Sequence, residues 1–186
     1  MMKKMMILMM TMCLTALATE AQVMTSETVT KVYEKATTTR GGEFAYNAAY
    51  DDEGRIVATD VYRKRPLRKG DVRLVPTCRY EYVYAADGLL SSRVMYVWRS
   101  DEWRLAGRHD YRLAEGTYTV TYSRWNRRKA AFDQPLGMMT YSLLPDESVY
   151  SVACYYRHHR DAPMELEWQT VVGSQFVSPD YDLTKE

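Results

Sequence analysis

Apolar and polar residues alternate along most of this chain, and turn-forming residues interrupt the alternation at short intervals. Residues 80–103 show the pattern most clearly, with tyrosine at every second position from Tyr80 to Tyr84 and an Asp87-Gly88 pair that can supply the positive φ angles of a tight turn. Short alternating runs at regular spacing are typical of antiparallel strands. The chain is therefore predicted to be all-β: an antiparallel meander of repeated hairpins that forms a curved, twisted sheet or a sandwich.

The hairpin predicted at residues 80–96 has a counterpart at residues 46–62, displaced by 34 positions. Four aromatic or turn residues match in one register: Tyr46 with Tyr80, Tyr50 with Tyr84, Gly54 with Gly88, and Tyr62 with Tyr96. Each glycine is predicted to close a turn, and each tyrosine to cover its neighbour across the strand pair. Asn126 follows Tyr122 at the spacing that separates Gly88 from Tyr84, which predicts a degenerate third copy.

The same alternation predicts the remaining strands, at residues 103–113, 117–123, 138–144, 149–156 and 165–172. One face of the first of these is expected to carry Trp103, Leu105, His109, Tyr111 and Leu113. In the last, Leu166, Trp168 and Val172 are expected to face one way. Residues 22–42 are interpreted as a polar lead in which Thr28–Tyr33 is a candidate first strand, and residues 43–186 as a single all-β domain. No amphipathic helix of three turns is predicted after residue 21.

The N-terminal segment has a different pattern. Lys3-Lys4 precedes an apolar run, Met5–Leu14, and small residues follow up to Ala18 and Ala21. A basic start, a short apolar run and small residues are typical of a secretory signal peptide. We expect residues 1–21 to be removed, with cleavage after residue 18 as the alternative. The mature protein is then expected to be exported, either to the periplasm or to the extracellular space.

Charge narrows the classes of partner. The chain has 25 basic and 24 acidic residues, and removal of Lys3, Lys4 and Glu20 leaves 23 of each. A neutral chain disfavours nucleic acid as a partner. No later stretch is apolar enough to cross a membrane, so no stable membrane insertion is expected after cleavage. The oligomeric state does not follow from the sequence.

Cys78 and Cys154 are the cysteines that would remain after processing. An oxidising compartment would allow them to form a disulfide, whereas the alternative is two separate thiols that are buried as small hydrophobic side chains. Their spacing does not decide between the two states, although buried thiols are common enough to favour the second slightly.

Catalytic and metal chemistry receive little support. His158 and His159 are neighbours, which places them on opposite faces of a strand, and no cysteines or carboxylates with ligand spacing accompany them. We therefore predict no metal, no cofactor and no catalytic residue. The basic stretch at residues 63–71 contains five Lys or Arg residues together with Pro66 and Gly70, and is interpreted as a solvated loop that an anionic partner could alternatively contact.

Aromatic side chains are the remaining candidates for a binding site, since Tyr and Trp on an open sheet can stack against a sugar or an extended peptide. The candidate ligand-binding residues are Tyr82, Tyr84, Tyr96, Trp98, Trp103 and Trp125. The favoured function is a noncatalytic exported module that binds a protein or a glycan through its aromatic face. The alternatives are a small periplasmic hydrolase acting on glycans, and a structural or assembly protein that pairs through its edge strands.

Two resemblances bear on these hypotheses. Tyr50–Ile56, which reads YDDEGRI, resembles one unit of the YD repeats of large secreted shell proteins, and residues 84–90 match that unit more loosely. The Met-rich N-terminus that ends before Gln22, the Tyr/Gly hairpins, Trp98 and Trp125-Asn126 together resemble small exported β-rich proteins of unknown function from Bacteroides and its relatives. That resemblance implies a periplasmic or secreted all-β domain, and it transfers no active residues.

Overall fold

A computed structural model describes residues 23–39, 42–68, 70–145, 148–159 and 161–171. The predicted signal peptide and the tail after Val171 lie outside these residues. Within them the chain forms one helix and ten strands, all of which are bounded as follows: α1 (Ser26–Thr38), β1 (Phe44–Tyr50), β2 (Ile56–Pro66), β3 (Val72–Tyr84), β4 (Leu90–Arg99), β5 (Glu102–Ala114), β6 (Thr117–Asn126), β7 (Ala131–Phe132), β8 (Gly137–Leu143), β9 (Val149–Tyr156) and β10 (Glu165–Val171).

The strands form one curved, unclosed antiparallel sheet in the order β1-β2-β3-β4-β5-β6-β8-β9-β10, with β7 paired to β6. Nearly every strand therefore lies beside its neighbour in sequence, as short turns between antiparallel strands require. The prediction of an all-β meander is confirmed. Of its two forms, the structure shows the single curved sheet rather than the sandwich.

The two predicted hairpins are confirmed, with equivalent turns. Gly54 and Gly88 have φ angles of +77° and +81°, and each donates its backbone N–H to the carbonyl three residues earlier, at 3.0 Å. A bulge follows at equivalent positions, next to Tyr50 and next to Tyr84. These are three-residue loops that need one left-handed residue. The expectation that Asp87 also takes a positive φ is wrong, because the glycine alone closes the loop.

Residues 26–38 correct the interpretation of the polar lead. They form α1, a helix of 13 residues, where the sequence predicted a strand at Thr28–Tyr33 and no helix of three turns. The Thr25 side chain caps the helix by accepting a hydrogen bond from the Thr28 backbone N–H at 3.1 Å. Val29 packs against Ile56 and Leu90, so burial of one apolar stripe stabilises a helix that is rich in β-branched threonine.

Bulges correct two of the predicted strand faces. Tyr96 pairs with Leu105, but Met95 pairs with Gly107, so β5 contains one extra residue at Ala106. Because an extra residue reverses the alternation, Trp103 and Leu105 lie on one face and His109 and Tyr111 on the other. The shared face predicted for residues 103–113 is therefore wrong.

A similar bulge in β10 separates Leu166 from Trp168, which were expected to share a face, and Val172 lies outside the described residues. The predicted third hairpin copy is also wrong at its key position. In the β6–β7 turn the left-handed residue is Ala130, with a φ of +48°. Asn126 instead holds the turn with its side chain, whose Oδ1 accepts the backbone N–H groups of Arg128 and Lys129.

Helix α1 packs on one side of the sheet, which we call the inner face; the opposite side is the outer face. Two buried clusters lie on the inner face. One joins Val29 to Ile56 and Leu90, and the other is formed by Tyr118, Met139 and Tyr141, next to Val23 and Met24. The side chains of paired residues project from the same face of an antiparallel sheet, so the strand register assigns every other residue to one face.

Candidate functional site

The six predicted ligand-binding residues divide between the two faces of the sheet. Tyr82 and Tyr84 lie on the inner face and pack against the cluster under α1. The Tyr84 hydroxyl donates to the Ile56 carbonyl at 2.8 Å, and burial raises the pKa of this hydroxyl. The structure therefore makes these two tyrosines part of the core and does not bring them together with the other four.

The other four predicted residues, Tyr96, Trp98, Trp103 and Trp125, lie on the outer face. The register brings Tyr62 and Phe132 to the same face. We call these six residues the outer aromatic patch, and each of them is partly exposed. Tyr62 and Phe132 were missed as candidates because nothing in the local sequence shows which distant strands lie side by side.

A tight turn at Ser100-Asp101, where both φ angles are positive, makes Trp98 and Trp103 direct cross-strand partners. Their rings meet edge to face, with centroids 4.9 Å apart and an interplanar angle of 71°. The second ring pair of the patch, Trp125 and Phe132, has nearly the same geometry, with centroids 5.1 Å apart. Edge-to-face packing fixes the ring orientations, so the patch presents an ordered surface.

Arginines stack on these rings. The Arg79 guanidinium lies 5.1 Å from the centroid of the Trp103 ring, and the Arg108 guanidinium lies 4.6 Å from that of Phe132. Both distances are within the range of cation–π attraction. Each guanidinium therefore covers part of an aromatic ring.

Carboxylates complete the polar part of the patch. Asp60 accepts two hydrogen bonds from Arg79, at 2.5 and 2.9 Å, and this pairing raises the pKa of the arginine. Glu81 accepts a hydrogen bond from the Tyr96 hydroxyl at 2.9 Å. Burial, together with this hydrogen bond, raises the pKa of Tyr96. Bidentate Arg–carboxylate pairing holds both side chains in one geometry.

A shallow recess of about 340 Å³ adjoins the patch at the β6–β7 turn, where Arg124, Trp125, Arg127 and Arg128 line it. This arrangement offers fixed aromatic surfaces and charged hydrogen-bonding groups on a broad surface, which suits contact with a large ligand more than enclosure of a small one.

Histidine and cysteine residues lie apart from the patch. His109 is on the inner face, where its ring packs 5.0 Å from that of Tyr122, and His158 and His159 are exposed in a turn after β9. Cys78 and Cys154 are both thiols, with no disulfide between them.

Within the part of the chain that the structure describes, no three His, Cys, Asp or Glu residues gather as metal ligands would. No helix in that part is long and apolar enough to cross a membrane.

Comparison with protein families identifies the group to which this fold belongs. The model of a family of unknown function, DUF3836, matches residues 1–143, which is most of the 186-residue chain. The chain belongs to this family. The DUF3836 match ends with β8, and it includes all the residues of the outer aromatic patch. The resemblance to small β-rich proteins of unknown function from Bacteroides and its relatives is thereby confirmed.

Solved structures with similarity to this chain come from Bacteroides and Parabacteroides. A protein of unknown function from Bacteroides fragilis aligns with a TM-score of 0.60 at 23% identity, over 70% of this chain and 93% of its own. A DUF3836 protein from Bacteroides vulgatus aligns with a TM-score of 0.43 at 19% identity, over 49% of this chain and 89% of its own. Another, from Parabacteroides distasonis, aligns with a TM-score of 0.42 at 24% identity, over 50% and 83% respectively. No functionally curated protein matches the chain. The Bacteroides fragilis structure supports the fold and carries no function across.

Proposed function

We propose that this DUF3836 protein is an exported, noncatalytic module that binds a partner protein through the outer aromatic patch. One observation carries the proposal: on one sheet face Asp60 holds Arg79 against the Trp103 ring, Trp103 packs on Trp98, and Tyr96 is the cross-strand partner of Arg79. Trp, Tyr and Arg are the residue types that dominate the binding energy of protein–protein interfaces. A sheet face with such a composition is suited to a large, complementary surface.

A protein is favoured over a glycan because of the stacked arginines. A sugar ring needs an uncovered aromatic face on which to pack, whereas Arg79 and Arg108 lie over the rings of Trp103 and Phe132. Guanidinium groups on aromatic rings instead present donors to backbone carbonyls and carboxylates of a partner protein.

The carboxylates of the outer face favour binding over hydrolysis. Glycoside hydrolysis uses two carboxyl groups that converge on one bond from opposite sides. Here Asp60 is held by Arg79 and Glu81 by Tyr96, in both cases across a strand pair. Asp110 is held by Arg108 on the same strand. Each acid is thus engaged in fixing a neighbour within an open surface.

Export is part of this proposal and rests on the sequence: Lys3-Lys4, the apolar run that follows, and the small residues up to Ala21. A partner would accordingly be a periplasmic or extracellular protein.

Site-specific photocrosslinking in the native host tests the patch. Leu105 lies on the outer face as the cross-strand partner of Tyr96, so a photoreactive phenylalanine analogue at position 105 is expected to give one discrete product with a protein. The same analogue at Tyr150, which is 51% exposed on β9, serves as the matched control and is expected to give no such product. Adding Arg79→Ala and Trp98→Ala should abolish the product from position 105.

With the purified partner, these two substitutions should weaken binding by on the order of 30-fold, the effect of losing a ~2 kcal/mol hot spot.

The proposal fails if both positions give the same products, or if the product persists in a double variant that remains folded by circular dichroism. If glycosidases remove the crosslinked product from position 105, the partner is a glycan and not a protein.

A further inference from the structure

The hairpin between β2 and β3 extends beyond both neighbouring strands. Strand β1 pairs with β2 only as far as Arg63, and β4 pairs with β3 only from Cys78 onward. Residues 63–66 and 72–75 continue to pair with each other, through Arg65 with Arg73 and up to Pro66 with Val72. We call residues 63–68 and 70–75 the β2–β3 arm. Part of the stretch predicted as a solvated loop is therefore a two-stranded ribbon, and the loop is reduced to the turn between Pro66 and Val72.

Local sequence explains why the arm separates from the sheet. Pro76 lacks an N–H group and so cannot continue a ladder on both sides. Next to it, a bulge at Thr77 interrupts the register between β2 and β3. At the far end, Gly70 has a φ of +86° and the Leu67 N–H donates to the Asp71 carbonyl at 2.8 Å, which closes the turn.

The arm exposes apolar side chains near its tip. Leu67, Val72 and Leu74 are 51%, 55% and 50% exposed. Val72 and Leu74 project from the outer face together with Pro66 and with Lys64, the cross-strand partner of Leu74, because the register alternates. A two-stranded ribbon without a third strand or a helix to cover it is marginally stable in water. A role in binding would therefore explain why apolar side chains are exposed at the end of this ribbon.

The other side of the arm is basic. Arg63, Arg65 and Arg73 project from the inner face, and Arg65 and Arg73 are directly opposite each other across the strands. Like charges in direct cross-strand pairs destabilise a sheet. Of these three arginines, Arg63 has a carboxylate partner in Glu43, 3.4 Å away. An anionic surface would offset the repulsion between the other two.

We propose that the β2–β3 arm docks on an anionic phospholipid surface, with its apolar tip in the headgroup layer and its arginines on the phosphates. Exposed apolar and basic side chains alternate on this one ribbon, which makes the arm complementary in charge to such a surface; interfacial membrane segments combine the same features. The protein as a whole has nearly equal numbers of basic and acidic residues, so the attraction is local to the arm. Docking through the arm leaves the outer aromatic patch, on the body of the sheet, available to a partner.

Vesicle co-sedimentation tests the proposal with the purified chain. Vesicles of phosphatidylcholine with about one third phosphatidylglycerol are compared with vesicles of phosphatidylcholine alone. We expect binding to the anionic vesicles that weakens as salt is added. The double substitution Arg65→Gln and Arg73→Gln should reduce that binding by roughly 30-fold, since each basic residue at such a surface contributes about 1 kcal/mol. Leu67→Ser with Leu74→Ser should also reduce binding to the anionic vesicles. This double substitution should in addition reduce the binding that remains at high salt.

Matched controls remove the same charge or apolar surface elsewhere. Arg112→Gln with Lys35→Gln takes two exposed basic residues from outside the arm, and Val83→Ser with Leu113→Ser changes two apolar residues that are 52% and 40% exposed on the bodies of β3 and β5. Both controls should bind as the unchanged chain does. If the apolar run at Met5–Leu14 is still attached, it is present in every variant, so only differences between variants count.

Equal binding to both kinds of vesicle would overturn the proposal, as would an arm variant that binds as well as its control. If the arm variants instead lower the mass of the protein in analytical ultracentrifugation and leave vesicle binding unchanged, the arm is a contact between copies of the chain and the lipid proposal is wrong.

Discussion

His109 lies partly buried on the inner face beside a guanidinium. One Arg93 N–H group approaches its Nδ1 at 3.5 Å, and since a guanidinium can only donate, Nδ1 must accept. The ring is therefore neutral in this environment. The sequence placed His109 on an apolar face, which is correct, but the predicted partners on that face, Trp103 and Leu105, are on the other. Alternation predicts neighbours only up to the next bulge. The local signal of this bulge is Gly107, next to the extra residue at Ala106, because glycine inside a strand often marks a bulge, and a count of alternation alone does not use it.

The neutral ring predicts a pH dependence of stability. Burial, followed by the charge of Arg93, lowers the pKa of His109 to about 3, against about 6.5 in an unfolded chain. Between these values the unfolded chain binds a proton that the folded protein does not, so the contribution is fully present above pH 6.5 and is lost as the pH falls. The unfolding free energy of the unchanged protein, measured with urea, should drop by about 1 kcal/mol per pH unit more than that of His109→Gln between roughly pH 6 and pH 4.

His159→Gln is the control for this comparison, because His159 is exposed and its loss should leave the slope of the unchanged protein intact. If His109→Gln shows the same slope as the unchanged protein, then His109 takes up its proton at the same pH in the folded and the unfolded chain, and the assignment is wrong.

At the scale of elements, the repeated hairpins were predictable and the helix was not. The hairpins repeat a turn chemistry that is local: a glycine at +77° or +81° and a tyrosine four residues before it. Helix α1 depends on contacts that are not local, between Val29 and residues 56 and 90. Its threonines have low helix propensity, so the alternation at Thr28–Tyr33 predicted a strand, and burial of Val29 decided the outcome.

Gly88 provides the test of the repeat. A β-branched side chain at a φ of +81° is strained, so Gly88→Val should lower the unfolding free energy by ~1 kcal/mol or more. Gly54→Val, at the equivalent position with a φ of +77°, should have an effect of the same size. Added bulk is not the cause, since the nearest atom that a Cβ at Gly88 would meet is the Ser26 Oγ, 3.9 Å away. Chemical denaturation of both variants gives the two values.

Ala86→Val is the matched control, because Ala86 is exposed in the same loop and does not have a positive φ. A loss of stability as large in this control as in Gly88→Val would show that the loop disfavours any bulky residue, and would remove the backbone explanation.

At the scale of the whole molecule, the alternation predicted a sheet but could not assign its faces. Both faces carry aromatic residues, so the pattern is nearly symmetric, and the position of α1 decides which face becomes the core. This is why Tyr82 and Tyr84 were grouped with Trp98 and Trp103 as binding residues, although they pack under the helix. Arg79 and Arg108 stack on rings that belong to other strands. The pattern within a single strand therefore could not predict these contacts either.

The sheet also determines the state of the cysteines. Cys78 and Cys154 lie on the same inner face, in β3 and β9, but β4, β5, β6 and β8 separate them. Five steps of about 4.8 Å amount to about 24 Å along the sheet, whereas a disulfide needs Cα atoms within about 7 Å. Burial, followed by the charge of Glu167, raises the pKa of Cys154, which makes its thiol less reactive.

Both thiols should therefore persist even in an oxidising compartment. Titration of the exported protein with a thiol reagent, after unfolding and without reduction, is expected to find two reactive groups. None would mean that the two cysteines are joined and that the sheet must rearrange to join them. Three would mean that Cys13 is retained, which contradicts removal of the N-terminal segment and leaves the two-thiol expectation intact. The number of reactive thiols thus tests two predictions at once: the separation of Cys78 from Cys154 in the sheet, and the removal of the N-terminal segment. A disulfide would give no reactive thiol, whereas a retained Cys13 would give three.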